Sequence, residues 1–134
     1  MPEMINTRQK IAEESDLVTA RHLVRKMSLE LGFSLVDQTR IITAVSELTR
    51  NALIYGGGGV IIIEILEYPL RGLKVTIKDN GPGIADIKQA LVDGYSTGVG
   101  LGNGLGGSKR LMDDFEISSE PGNGTKIVII KWLP

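Results

Sequence analysis

The chain has 134 residues, 42% of them hydrophobic, and 15 basic against 16 acidic side chains leave a formal charge of −1, which fits one globular domain, residues 1–134, with its own core. That balance gives no support for nucleic-acid binding or an electrostatic membrane footprint, and the absence of cysteine excludes disulfides and thiol chemistry and leaves a structural zinc site without its usual ligands. The polar opening M-P-E-M-I-N-T-R-Q-K has no apolar core of a secretory signal, and the apolar runs are too short to cross a bilayer, so a cytoplasmic protein is expected. Residues 5–11 fit a short edge strand. Ser15 and Asp16 can cap a helix running to Leu31, with Leu17, Ala20, Leu23, Val24, Met27 and Leu31 at helical spacing and Gly32 as its stop. Ser34, with Asp37 three residues on, resembles a capping box. The helix it opens should reach about Tyr55, turn Val36, Ile41, Ala44, Val45, Leu48, Ala52 and Leu53 inward, and halt at the four glycines 56–59. Residues 60–67 and 73–78 read as an antiparallel hairpin, 84–92 as a short helix and 105–113 as another. Residues 115–119 and 125–132 pair across a P-G-N-G turn as a second hairpin. Helices alternating with antiparallel hairpins imply an α+β class: a two-layer sandwich whose mixed, largely antiparallel sheet carries its helices on one face.

Three stretches carry chemistry. In S-E-L-T-R-N, Glu47 and Asn51 are four apart and share a helix face. The amide oxygen can ligate a hard cation such as Mg²⁺, and the carboxylate can take a proton from a hydroxyl; a solvated polar face looks the same. In D-N-G-P-G, after the alternation L-K-V-T-I-K, Asp79 at a strand end can accept a hydrogen bond from an amino group, and glycine lets the backbone approach a planar ring; a tight turn has the same residues. The chain holds 17 glycines, well above the roughly 7% average, and Gly98, Gly100, Gly102, Gly104, Gly106 and Gly107 crowd just ahead of Ser108-Lys109-Arg110. Such a stretch can aim backbone N–H groups at a phosphate chain. Its G-x-G-x-x-G match at Gly102, Gly104 and Gly107 lacks the preceding strand of a dinucleotide fold. Unstructured loops of this length are uncommon and often act as lids. Thr125 opens the last strand after G-N-G and can point its hydroxyl at a neighbouring ligand.

The order of these pieces, E-L-x-R-N on a helix, D-N-G-P-G after a strand, a glycine loop before a helix and G-T opening the last long strand, resembles the ATP-binding domain shared by gyrase, Hsp90, histidine kinases and MutL (the GHKL, or Bergerat, fold) over nearly the whole chain. The resemblance implies that Asp79 binds the adenine amino group in a pocket shaped by Gly81 and Gly83. It implies that Asn51 holds Mg²⁺ against the phosphates of ATP, that Thr125 assists at the adenine and that Glu47 is the general base, with Arg50 in the same motif. It makes residues from about 93 to 107 the ATP lid, with Gly98, Gly100, Gly102, Gly104 and Gly106 among its nucleotide contacts. V-D-Q-T-R-I-I-T-A-V-S-E-L-T-R-N, D-G-Y-S-T-G-V-G-L-G-N-G-L-G-G-S-K-R-L-M-D-D-F and the K-W-L-P ending are similar, more narrowly, to the serine/threonine protein kinases of bacterial partner switching, the switch kinase of the stressosome in particular. That likeness implies phosphorylation of a STAS-domain partner, which frees the kinase to activate a PP2C-type phosphatase. An ATP-gated machine would need a transducer domain for which the length leaves no room. A histidine-kinase acceptor box is not expected around His22, which lacks the usual acidic neighbour. The rival from another class is an anti-sigma-factor-type module that binds ATP and sequesters a regulator.

Overall fold

In the computed structural model, residues 6–81, 101–119, 122 and 124–134 are described; the expected helix at 84–92 lies outside them. Strand β1 (Asn6–Ile11) leads into helix α1 (Glu14–Leu31) and helix α2 (Leu35–Ile54), then the hairpin β2 (Gly59–Leu66) and β3 (Gly72–Asp79), helix α3 (Leu101–Leu111), and the hairpin β4 (Asp114–Ser119) and β5 (Thr125–Trp132). The strands form one sheet in the order β1-β2-β3-β5-β4. All four pairings among the described residues are antiparallel, so the parallel element allowed for by a mixed sheet is not found there.

Register explains the layers. Ile61, Ile77 and Ile127 stand side by side across the sheet, as do Ile63, Val75 and Ile129, and all six are buried. Because strand side chains alternate faces, the intervening Val60, Ile62 and Val128 project to the other side, where they are half-buried. The apolar β2 run is therefore an interior strand, covered at its edge by β1. Helix α1 turns Leu17, Ala20, Val24, Met27 and Leu31 into the core, with Leu23 partly buried, and α2 adds Ile41, Ala44, Val45, Leu48 and Ala52. Val36 is 59% exposed instead. It lies five residues before Ile41, off the stripe that a period of 3.6 residues repeats, and Asp37 and Gln38 take the half-buried positions of that turn.

Two helix starts differ from expectation. Helix α1 begins at Glu14, and Asp16 works from the third position: its carboxylate accepts the N–H groups of Ala12 at 2.8 Å and Glu13 at 3.0 Å. These bonds satisfy donors at the helix entry and fasten the end of β1 to α1. They hold the Asp16 carboxyl below the ordinary carboxylate range, the Ala12 bond contributing most, against the opposing effect of burial. Gly32 closes the helix at φ 93°, a left-handed turn that glycine adopts without a Cβ penalty. Ser34 caps α2 as expected, accepting the Asp37 N–H at 3.1 Å. Helix α3 starts at Leu101, not 105, and contains Gly102, Gly104, Gly106 and Gly107. Each glycine costs a helix about 1 kcal/mol relative to alanine, so packing on α2 overrides local propensity here.

Candidate active site

The C-terminal end of α2, the end of β3 and the start of β5 meet at one end of the sheet. Asp79 is the last residue of β3 and pairs with Gly59 on one side and Thr125 on the other. Its Oδ1 accepts the Gly81 N–H at 2.9 Å. Burial pushes its carboxyl above the ordinary carboxylate range, and hydrogen bonds from the Gly81 and Thr125 backbones hold it back in part. A carboxylate in this setting has lost water and gained too few donors in return, which leaves it ready to accept one more.

Glycines make the close approach possible. A Cβ on Gly56 would run into the Asp79 carboxyl group, and one on Gly81 would stand 2.5 Å from the Gly56 Cα and 3.1 Å from Asp79 Oδ1. Gly124, at φ +80°, brings its Cα against the Asp79 carbonyl, where a Cβ would also collide. The four glycines after α2 read as a helix stop in the sequence. The structure makes Gly56 part of the Asp79 cradle. A run of four where one terminator suffices was the available signal, and only the tertiary contact says what it serves.

Asn51 is tied to this cradle: its backbone carbonyl accepts the N–H of Tyr55 at 2.9 Å and of Gly56 at 3.3 Å. The side chain is half-buried, and its Nδ2 is buried with no hydrogen-bond partner among the described residues. A buried amide donor left unpaired is costly, so a ligand acceptor there would be strongly favoured. Glu47 lies one turn earlier on α2 and is exposed, as is Arg50, while Leu48, Thr49 and Ala52 face the core. The Thr125 hydroxyl stands 3.1 Å from the Ser119 hydroxyl, which also reaches the Gly124 carbonyl at 3.0 Å. A cavity of about 370 Å³ opens at this end, lined by Lys78, Asp79, Asn80, Ser119, Thr125 and Lys126 among others; it reaches Asp79 and Thr125 but not Asn51 or Glu47.

Asn51, Asp79, Gly81 and Thr125 thus gather at one end of the sheet, with Glu47 and Arg50 on the adjoining helix face. Gly83, Gly98 and Gly100 lie outside the described residues. Gly102, Gly104 and Gly106, expected in the lid, sit in the first half of α3. Among the described residues no cluster of three or more His, Cys, Asp or Glu side chains could hold a metal on its own. No helix among them is long and apolar enough to cross a membrane.

The geometry thus brings an acid at a strand end, an asparagine on the facing helix and glycines between them to one end of the sheet. Residues 36–134 match the family model for histidine kinase-, DNA gyrase B- and HSP90-like ATPases, and the chain belongs to that family. Within it, the chain is 52% identical to the serine/threonine-protein kinase RsbT of Bacillus subtilis (strain 168) over 125 residues, 92% of this chain and 94% of that one. It is also 32% identical to an anti-sigma F factor of Thermoanaerobacter sp. (strain X514) over 119 residues, 85% of this chain and 83% of that one. A crystal structure of the RsbU and RsbW domains of a Mycobacterium tuberculosis protein superposes with a TM-score of 0.66 over 98% of this chain and 33% of that one at 19% identity, a likeness of fold. The present chain therefore spans about a third of that solved chain. The expected α+β ATP-binding fold and the likeness to a partner-switching protein serine/threonine kinase agree with these relatives.

Proposed function

We propose that this chain transfers the γ-phosphoryl group of Mg-ATP to a serine or threonine of a STAS-domain partner and, once released from it, activates a PP2C-type phosphatase in the bacterial cytoplasm. The observation that carries the reading is the contact path Asn51–Gly56–Asp79. An orphaned amide and an under-solvated carboxylate stand on one rigid frame, and each lacks what a nucleotide offers. Asp79 would accept the adenine amino group, with Gly81 and Gly83 shaping the pocket and Thr125 beside it. Asn51 would offer its amide oxygen to Mg²⁺ and its N–H to a phosphate oxygen, since a half-turn of the amide exchanges the two atoms. Mg²⁺ typically takes one or two protein ligands plus phosphate oxygens and water, which suits a site without a carboxylate cluster. It would supply charge neutralisation on the phosphates. Glu47 would take the proton of the acceptor hydroxyl as its oxygen bonds to the γ-phosphorus and the bond from that phosphorus to the departing ADP breaks, and Arg50 would add positive charge nearby. Glycines Gly98, Gly100, Gly102, Gly104 and Gly106 would let the chain close on the phosphates. Positioning and charge stabilisation are most of what phosphoryl transfer needs.

The test is incubation with γ-labelled Mg-ATP and a panel of STAS-domain proteins. Label is expected on a serine or threonine of one of them, lost with Asn51→Ala. Glu47→Ala should keep nucleotide binding and lower transfer by about 10²–10⁴-fold, the usual worth of a general base; full transfer by that variant would remove Glu47 from the role. The names of the anti-sigma F relatives support a second reading, a module that sequesters a sigma factor. Nucleotide binding without transfer to any STAS protein, together with capture of a sigma factor, would favour it.

A further inference from the structure

Strands β3 and β5 carry polar groups on both faces of their shared end. Asp79 pairs with Thr125, and the neighbouring row pairs Lys78 with Lys126. Side chains alternate along a strand. Asp79 and Thr125 therefore lie on the side of the buried Ile77 and Ile127, toward the helices, and Lys78 and Lys126 project from the other face. Both lysines are exposed. Ser118 continues their row, opposite Lys126 on β4. The cavity of about 370 Å³ at this end is lined by all three and by Asn80, so it reaches past the strand ends to the face turned away from α2.

Ordinary roles do not account for the lysine pair. Like charges directly opposite one another destabilise a sheet, their Cβ atoms standing about 5 Å apart. Lys74, on the same face of β3, has the usual arrangement and stands opposite Glu64. Lysine on an edge strand guards against unwanted pairing, but β3 and β5 are interior strands with a neighbour on each side. The Asp79 carboxyl is turned against Gly56 and accepts the Gly81 N–H, on the helix side. Glu116 is diagonal to Lys126 across the β4–β5 pair, yet no carboxylate among the described residues lies within ion-pair distance of Lys78 or Lys126. The side chains of Ser118 and Asn80 likewise make no hydrogen bond among the described residues. Four unengaged donor groups, two of them cationic, thus border one cavity.

We infer that this cavity is an anion site that takes a phosphate group, free or carried on a side chain, between the Lys78 and Lys126 ammonium groups, with the Ser118 hydroxyl and the Asn80 amide as further donors. A carboxylate offers one charge and two oxygens. A phosphate brings a charge of about −1.5 to −2 and three or more acceptor oxygens, which matches two cations and two neutral donors. Lysine serves such a group as a point charge, and a dianion between the two ammonium groups turns their mutual repulsion into a shared attraction. The site is separate from the proposed nucleotide site. Lys78 and Asp79 are chain neighbours on opposite faces, as are Lys126 and Thr125, so a phosphate held by the lysines lies away from Asn51 and Glu47.

The test is a titration of the isotope-labelled full chain with sodium phosphate at constant ionic strength, which removes general screening as a variable. Sodium chloride is the reference, and a neutral peptide bearing one phosphoserine is the second probe. Saturable amide shifts are expected at residues 78, 80, 118 and 126 with the phosphate-bearing probes, and none with chloride or the unphosphorylated peptide. In Lys78→Gln/Lys126→Gln the Kd should rise about tenfold or more. Lys78→Arg/Lys126→Arg should retain binding, and Lys74→Gln should leave it unchanged. Tighter binding of the peptide would assign the site to a phosphorylated side chain; equal or tighter binding of inorganic phosphate would assign it to the free anion. Shifts that do not saturate, that persist in the double glutamine variant, or that centre on Asn51 and Glu47 would overturn the inference. Thermal unfolding without phosphate checks its premise. Lys78→Gln should melt at or above the wild-type temperature because a like-charge contact is gone, and a lower midpoint would show that the pair serves the fold and not a ligand.

Discussion

Replacing Asp79 with asparagine should separate ligand binding from stability. The carboxyl is pushed up chiefly by burial, and the bonds from Gly81 and Thr125 only partly offset this. Its ionised form is therefore disfavoured in the fold, and its contribution to stability is fullest at acidic pH and lost as pH rises through its folded-state value. Asparagine keeps an oxygen for the Gly81 N–H and removes the buried charge, so the ligand-free variant should melt at the wild-type temperature or a few degrees above it at pH 7. Binding should suffer in the opposite sense. ATP at a hundred times its Kd stabilises the folded state by about 2.7 kcal/mol. At about 2.1 cal/mol/K per residue, 134 residues unfold with about 0.28 kcal/mol/K, so the wild type should gain about 10 °C. Losing a hydrogen bond to a charged acceptor costs about 1.5–3 kcal/mol, roughly 10–150-fold in Kd. At the same ATP concentration the variant should keep only about 1–5 °C of the shift. Thermal unfolding with and without Mg-ATP reads both quantities. A full shift in Asp79→Asn would remove the carboxylate from nucleotide recognition. A clearly lower ligand-free midpoint would show that its hydrogen bonds outweigh its burial.

Three further outcomes follow from local geometry. Gly56→Ala places a methyl group against the Asp79 carboxyl and should cost about 1–3 kcal/mol in overpacking and reduce ATP affinity. Gly57→Ala, at φ +70° with open space around it, should cost about 1–2 kcal/mol through backbone strain alone and leave affinity intact; equal affinities in the two variants would show that the Gly56 contact does not shape the site. Ser108→Ala deletes a buried hydroxyl with no partner among the described residues and should raise stability by up to about 1 kcal/mol in denaturant unfolding, whereas a loss would reveal a bond to that hydroxyl. Asp16→Asn should lower stability at neutral pH. The Asp16 carboxyl is held down by backbone donors, so its stabilisation is present above the ordinary carboxylate range and is lost as pH falls. The variant's acid limb should be flatter than that of the wild type, and identical limbs would discount the Ala12 and Glu13 bonds.

Much of this was legible in the residues because the signals were periodic. The buried stripe of α1 follows from the spacing of Leu17, Ala20, Val24, Met27 and Leu31, and both hairpins from β-rich runs separated by turn residues. What was not legible depended on contacts between distant segments. Val36 is apolar and near the helix start, so composition drew it inward; only the phase of the whole stripe turns it out. The entry to α3 was misplaced because glycine propensity says loop, while burial of the glycine-containing helix against α2 says otherwise. Ser15 and Asp16 read as the cap because Ser and Asp are favoured there; the cap residue is Glu13, and Asp16 serves from the third helical position by accepting the Ala12 and Glu13 N–H groups.

Gly56 shows how the site and the fold constrain each other. Asp79 is held by strand pairing to Gly59 and Thr125, so it cannot retreat from α2 without breaking the ladder. Asn51 is held by its helix, and the Gly56 N–H is bonded to its carbonyl. The contact between Gly56 and Asp79 is therefore where a rigid helix end meets a rigid strand end. On that frame the buried Asn51 Nδ2 has no acceptor among the described residues, and burial pushes the Asp79 carboxyl above its ordinary range. Packing holds both groups in place, so a ligand that supplies an acceptor to one and a donor to the other would meet them without rearrangement. Recognition by this end of the sheet should accordingly favour a ligand that reaches both groups at once over one that reaches either alone.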